Sequence, residues 1–235
     1  MPDSAGRRTA KRNLRHSGSS DAPSIYVLAG TNGGGKSSIG GEVFLERGIE
    51  PFNPDEIAKR FRALNPAFSI ERANVAAWQE GVRLLSRAIT ERLNFAFETT
   101  LGGRTITTLL ERAAFTGIQV HIWYIGLRSP ELHIQRVRAR VAKGGHDIPE
   151  QKIRERYDQS RRNLIWLLPL LAALRLYDNS QEANPRIGFA PKPELILHFA
   201  RKKVISHTSL RDAPTWTKPI LMEALRLNRS ASTEP

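Results

Sequence analysis

The sequence predicts a three-layer α/β sandwich: a mainly parallel, five-stranded sheet, a helical insertion that acts as a lid, and a short antiparallel edge. Three observations predict it. Apolar runs of strand length alternate with longer stretches of helical periodicity, the order of a parallel sheet covered by helices. A glycine-rich segment, Gly30 to Ser37, joins the first such run to the next helix. Polar residues gather where successive runs end, and in open α/β sheets that edge is the one that meets ligands.

In order, residues 1–22 are rich in Arg, Ser and Gly and read as a disordered basic tail, with an arm that grips nucleic acid as the sharper alternative. Residues 23–228 form the domain, and 229–235 a second disordered tail. Ser24 to Ala29 is the first strand. A helix from about Lys36 to Arg47 follows, with Ile39, Val43 and Phe44 on one face and Gly40 and Gly41 inside it. Ile49 to Asn53 is a short second strand, running into Pro54-Asp55 and a helix from Glu56 to Leu64. Ser69 to Leu93 carries Val75, Trp78, Val82, Leu85, Ile89 and Leu93 at helical spacing, which predicts a long amphipathic helix with Trp78 in the core.

The third strand begins at Asn94 and ends in Glu98-Thr99-Thr100 before a Gly turn; Ile106 to Phe115 is a helix and Gln119 to Leu127 the fourth strand. Ser129-Pro130 is an N-cap with proline at the first helical position, opening a helix to about Ala142. Gly144-Gly145-His146 breaks it, and Asp147 with Glu150 forms a capping box for the next helix. That helix buries Ile153, Tyr157, Leu164, Leu168 and Leu171 and exposes Arg154, Arg156, Arg161 and Arg162. Two arginine-lined helices on a glycine hinge, about 129–171, read as a lid over a phosphate site or as a solvated basic hairpin. His146 is a phosphate ligand or a cap on the hinge. Leu174 to Asp178 is the fifth strand, ending in Tyr177-Asp178-Asn179-Ser180. Ile187 to Phe189, Leu195 to Phe199 and Val204 to Ser206 form the antiparallel edge, and Pro219 to Leu227 a closing helix.

The segment GTNGGGKS satisfies G-x-x-x-x-G-K-[ST] between a strand and a helix, the setting a phosphate loop requires. Several backbone N–H groups must converge on one phosphate chain, and residues lacking Cβ let the backbone approach it. Gly33, Gly34 and Gly35 supply that freedom, Lys36 a point charge for the β- and γ-phosphates, and Ser37 a hydroxyl for Mg²⁺. Gly30, Thr31, Asn32 and Ser38 complete the nucleotide-binding set, and the fold is therefore of the P-loop NTPase type.

Composition narrows the reading. The chain has no Cys, hence no disulfide and no thiolate metal site, which suits a reducing cytoplasm. The longest apolar run, Leu164 to Leu174, is interrupted by Pro169 and falls short of the roughly 20 residues a membrane span needs. The net charge is +13; five cations against two acids in residues 1–22 leave most of the excess on the folded part, which draws polyanions.

A phosphate loop serves GTPases, motors and kinases alike. The chain has no N/T-K-x-D guanine motif and no apolar strand ending in Asp-Glu. What remains is the inventory of a small kinase: acids at strand ends and arginines on a hinged hairpin. Asp55 is either the base on an acceptor hydroxyl or the N-cap of the helix behind it. Glu98, Thr99 and Thr100 face the ligand edge, and the lid arginines, with Arg136 and Arg140 on one face of the first lid helix, neutralise the transferring group.

Five stretches taken together, Ala29 to Ser37, Asn53-Pro54-Asp55, Phe97 to Leu101, Gly144 to Glu150 with Arg154 and Arg156-Tyr157, and Tyr177 to Ser180, resemble the zeta toxin family, in its short stand-alone bacterial branch. Members phosphorylate the sugar 3′-hydroxyl of UDP-N-acetylglucosamine with ATP or GTP, and an antitoxin protein that blocks the nucleotide site restrains them. The resemblance implies Lys36 as phosphate clamp, Ser37 as Mg²⁺ ligand, Asp55 as base, Glu98 and Thr100 as contacts to the acceptor, Arg140 as the first lid arginine, and Arg154 or Arg156 as the second. It implies a cytoplasmic enzyme with a sugar-nucleotide acceptor and an antitoxin partner. The alternatives are a kinase for an antibiotic or nucleoside, like the chloramphenicol phosphotransferases, and a nucleic-acid-binding or polynucleotide kinase. The second is disfavoured by the 7% aromatic content, too little for a base-stacking surface.

Overall fold

A computed structural model describes residues 14–15, 22–36, 44, 50–145, 147–182 and 192–233. The sheet is mixed and seven-stranded, in the order β1-β3-β2-β4-β5-β6-β7. Its strands are β1 (Leu14–Arg15), β2 (Ser24–Ala29), β3 (Asn94–Thr99), β4 (Gln119–Gly126), β5 (Ala173–Asp178), β6 (Glu194–Ala200) and β7 (Lys203–His207). The four strands β3, β2, β4 and β5 are parallel, while β6 and β7 add the antiparallel edge. The parallel strands are continuous apolar runs because helices cover both faces: Ile25, Val27, Leu28 and Ala29 of β2 are wholly buried.

Two expectations for the outer edge of β3 change. The second strand, Ile49 to Asn53, shrinks among the described residues to a single parallel bridge, Phe52 with Phe97. Phe52 N donates to Ala96 O at 2.8 Å and Phe52 O accepts from Glu98 N at 2.9 Å; Pro54 then starts a helix and leaves no room for a longer ladder. Inside the stretch expected to be a free tail, Leu14 and Arg15 pair antiparallel with Phe95 and Asn94, so the start of this edge is covered by the chain's own N-terminal part.

The helices are α1 (Pro54–Leu64), α2 (Ile70–Thr90), α3 (Arg104–Phe115), α4 (Pro130–Val141), α5 (Glu150–Leu167) and α6 (Lys218–Thr233). The caps follow the local chemistry. Ser69 Oγ accepts from Arg72 N at 3.2 Å and Ser129 Oγ from Leu132 N at 3.3 Å. The capping box expected at Asp147 is not formed: Pro149 takes the N-cap position of α5, and Asp147 Oδ1 accepts from the neighbouring Ile148 N at 2.8 Å. Nothing between Leu227 and Thr233 breaks a helix, so α6 runs on through residues expected to form a tail.

The expected apolar stripe holds at Leu85 and Ile89 of α2 and at Leu93 just after it, all buried, and fails in the first half of the helix. Ala73, Ala77, Leu84, Leu85, Ala88 and Ile89 face the core, and the small residues let α1 pack closely at Ala58. Val75 and Trp78 are about half exposed, at 55% and 47%. The lid reading is refined as well. Leu164, Leu167, Leu168 and Leu171 belong to the main core, so the part beside the ligand edge narrows to the turn after α4 and to α5 as far as about Asn163. Among the described residues no helix is long and apolar enough to cross a membrane. The first helix expected after the phosphate loop, with Ser37 and Ser38, lies outside the described residues, as do His146 and Ile187 to Phe189.

Candidate active site

The carboxyl ends of β2, β3, β4 and β5 meet at one edge, and residues 30–36 lie there between β2 and β4. Gly30 has φ 140°, and a Cβ added to it would stand 2.1 Å from Ile125 O, so no other residue fits the exit of the strand. Gly33, at φ 79°, presses against the carbonyl of His133 in the same way, 2.7 Å from a Cβ. Lys36 Nζ donates to Gly30 O at 3.0 Å, folding the side chain back over the loop. Burial lowers the pKa of this ammonium; Glu98 and Asp55 push it back up. A buried cation held by one carbonyl, above a loop that glycine alone can form, fits the phosphates of a nucleotide.

The loop is buttressed from both sides. Asn179 at the end of β5 donates its Nδ2 to Gly34 O at 3.0 Å. Its neighbours are fixed below: Asp178 accepts from Ser180 Oγ at 2.5 Å and from Trp216 Nε1 at 2.7 Å, and Ser180 Oγ accepts from Arg128 N at 2.7 Å. The Tyr-Asp-Asn-Ser motif is thus a bracket for the phosphate loop. From α4, His133 Nδ1–H donates to Asn32 O at 2.8 Å. His133 is 1% exposed, and burial depresses its pKa to about 4. Nothing in the sequence marks it, since a histidine inside an amphipathic helix has no distinguishing pattern.

That depressed pKa has a measurable effect. An unfolded histidine titrates near 6.5, so below that pH the unfolded chain takes the proton and the native chain does not. Native stability therefore falls as the pH drops from about 6.5 to about 4, by roughly 3 kcal/mol in total. Chemical denaturation across this window should show the slope, and His133→Gln should flatten it. Glu98, whose pKa burial raises, works in the opposite direction in both proteins, so the difference between them isolates His133.

A cavity of about 810 Å³ opens beside Lys36. Asp55, Glu98, Thr99 and Thr100 line it, brought together by the Phe52 bridge and the end of β3. The alternative role for Asp55 fails: Asn53 is the N-cap of α1, its Oδ1 accepting from Asp55 N at 2.9 Å and Glu56 N at 3.4 Å. The Asp55 carboxylate is left to the cavity. Burial raises the pKa of Glu98, against the opposing pull of Lys36 and a hydrogen bond from Asn53. Leu101, just beyond, holds φ 54°, a conformation costly for a residue with a Cβ. It is held there by Asn163 Nδ2 on Leu101 O (2.8 Å) and by Ser160 Oγ on Thr100 O (2.7 Å), so α5 shapes the acceptor side of the site.

The lid arginines separate. Arg156 lines the cavity and donates to Asn32 Oδ1 at 2.7 Å, and its pKa is lowered by burial. Its stem covers Gly102, where a Cβ would stand 2.8 Å from Arg156 Cγ. Arg154 is not brought to the site: it points outward and pairs with Glu131 at 2.5 Å, because two residues along a helix face nearly opposite ways. A second exposed pair, Arg138 with Glu150, ties the hairpin together. Arg140 lies near Lys36 and lines a neighbouring cationic cavity with Lys59, Arg136 and Lys143.

A phosphate loop on a strand end, with a carboxylate pair and a half-buried arginine facing the same cavity, is the set of parts that a P-loop phosphotransferase uses. The family model for the zeta toxins matches residues 8–167, and the chain belongs to that family. It is 33% identical over 129 residues to an uncharacterised protein of Haemophilus influenzae, covering 54% of this chain and 88% of the relative. Solved structures share its fold, two of them as follows. One is a chain of the AvrRxo1-ORF1:-ORF2 complex with ATP, at TM-score 0.62 and 15% identity, over 89% of this chain and 64% of that one. The other comes from the PezAT chromosomal toxin–antitoxin system of Streptococcus pneumoniae, at TM-score 0.56 and 14% identity, over 97% and 93%. This chain thus spans just under two thirds of the AvrRxo1 chain it matches.

Proposed function

We propose that this protein transfers the γ-phosphate of ATP or GTP to a hydroxyl of UDP-N-acetylglucosamine. The observation that carries the reading is the convergence of Lys36, Asp55, Glu98 and Arg156 on one cavity next to the phosphate loop. In the proposed reaction the loop amides and Lys36 bind the β- and γ-phosphates. Asp55 accepts the proton of the attacking hydroxyl, Glu98 and Thr100 orient the sugar, and Arg156 neutralises charge on the group in flight. Ser37, named for this role by the loop motif alone, would hold Mg²⁺, which would supply further charge neutralisation for the phosphates. Fold kinship with a chain of a toxin–antitoxin system supports an inhibitory protein partner as part of the same reading.

The test is incubation of the full chain with ATP, Mg²⁺ and UDP-N-acetylglucosamine, followed by mass spectrometry. The expected product is heavier by one phosphoryl group. Slow ATP hydrolysis with no such product would refute the acceptor and leave the phosphotransferase class standing.

A further inference from the structure

Asn32 occupies the second of the four open positions in G-x-x-x-x-G-K-[ST], where the loop pattern demands no residue type. In the structure it is the point at which the phosphate loop meets both helices of the hairpin, and it is buried. Its main-chain oxygen accepts from His133 of α4 at 2.8 Å, and its side-chain Oδ1 accepts from Arg156 of α5 at 2.7 Å. The first contact fixes the asparagine, because a histidine that burial keeps neutral retains one N–H for the carbonyl. The second fixes the arginine.

Only the far end of Arg156 needs fixing. The turn of α5 that carries it is anchored by Tyr157 OH on Arg128 O (2.9 Å) and by Ser160 Oγ on Thr100 O (2.7 Å), and Arg156 Cβ and Cγ lie over Gly102. The guanidinium beyond them has acids around it. Asp55 and Glu155 both act on its charge, and Asp158 lines the same cavity from α5. Among the described residues Arg156 nevertheless forms no ion pair, with Asp55 or any other acid. Paired with Asp55, it would occupy the carboxylate that takes the proton and turn away from the donor phosphates. A neutral amide oxygen on the donor loop holds the cation without adding a charge that phosphate would repel.

We propose that Asn32 is a positioning residue, which keeps the Arg156 guanidinium between the donor loop and the acceptor cavity, apart from Asp55, before the phosphoryl group moves. Rotamer freedom is then lost on folding and not in the reaction. This rests on the kinase reading above and adds to it a residue that acts through another.

The test is a double-mutant cycle with Asn32→Ala, Arg156→Ala and the two combined. It is read as kcat for transfer from ATP to UDP-N-acetylglucosamine or, should that acceptor fail, for slow ATP hydrolysis. Asn32 has no positive φ, so alanine fits its backbone. Asn32→Ala should lower kcat by roughly 10- to 150-fold, the range of one hydrogen bond to a charged group, and leave calorimetric affinity for a non-hydrolysable ATP analogue within a few-fold of wild type. In the Arg156→Ala background the same change should barely alter kcat, because the group it positions is gone. A second readout needs no turnover. A hydrogen bond that restrains a guanidinium slows its rotation and separates its Nη signals in ¹⁵N spectra; those of Arg156, identified by their loss in Arg156→Ala, should merge in Asn32→Ala. A fall in kcat that is equal in both backgrounds, or a fall in analogue affinity in place of kcat, would mean that Asn32 acts through the loop, and overturns the proposal. An unchanged or raised kcat in Asn32→Ala overturns it too, while the kinase reading stands. A wild type that neither transfers phosphate nor hydrolyses ATP refutes the kinase reading, and the Arg156 signals then decide: merged in Asn32→Ala they uphold the contact, unchanged they overturn it.

Discussion

Asp55→Asn is expected to cut phosphoryl transfer by about 10²–10⁴-fold while ATP affinity stays within a few-fold of wild type. The substitution keeps the size of the side chain and removes only its ability to take a proton. It also leaves α1 intact, because the helix is capped by Asn53 and not by Asp55. A melting temperature equal to wild type would separate loss of chemistry from loss of structure. Lys36→Ala should differ in kind: the nucleotide itself should bind poorly, since the ammonium folded over the loop is gone. Turnover of Asp55→Asn at the wild-type rate would remove Asp55 from the mechanism.

The second large effect concerns the choice between two arginines. Arg156→Ala should lower kcat by about 10³–10⁵-fold, the range seen when an arginine that stabilises a transferring phosphoryl group is lost. Arg156→Lys should recover little of it, because a point charge cannot reproduce the planar fork. Arg154→Ala should remain near wild type. Its exposed pair with Glu131 is a contact of at most about 1 kcal/mol. Steady-state kinetics on the three variants decide the matter, and a larger loss in Arg154→Ala than in Arg156→Ala would reverse the assignment.

The parts of the site that could be read from the sequence are those whose chemistry constrains the backbone. The glycines and Lys36 form a motif because each position has one job, and Glu98 at the end of β3 follows from the order of apolar runs, whereas Asp55 stands in the first turn of α1, just past the Phe52 bridge. Helical faces were harder. Arg154 and Arg156 stand on nearly opposite sides of α5, and spacing says that one of them faces inward without saying which. Trp78 stands outside the core because in the first half of α2 the buried positions are the alanines Ala73 and Ala77, weak markers of a core, which leaves the larger side chain to the cavity. His133 depends on a partner about a hundred residues away in sequence, and the pairing of Leu14 and Arg15 on partners about eighty residues away, and local patterns carry no trace of either.

The two hydrogen bonds that join Phe52 to Ala96 and Glu98 also govern how this site can change over generations. They involve main-chain atoms alone, so the separation of the two carboxylates does not depend on which apolar side chain occupies position 52 or 97. Those positions are free to drift among residues that fill the same space, while the reacting groups keep their alignment. The acceptor wall can then be remodelled, and a new substrate adopted, without rebuilding the catalytic centre.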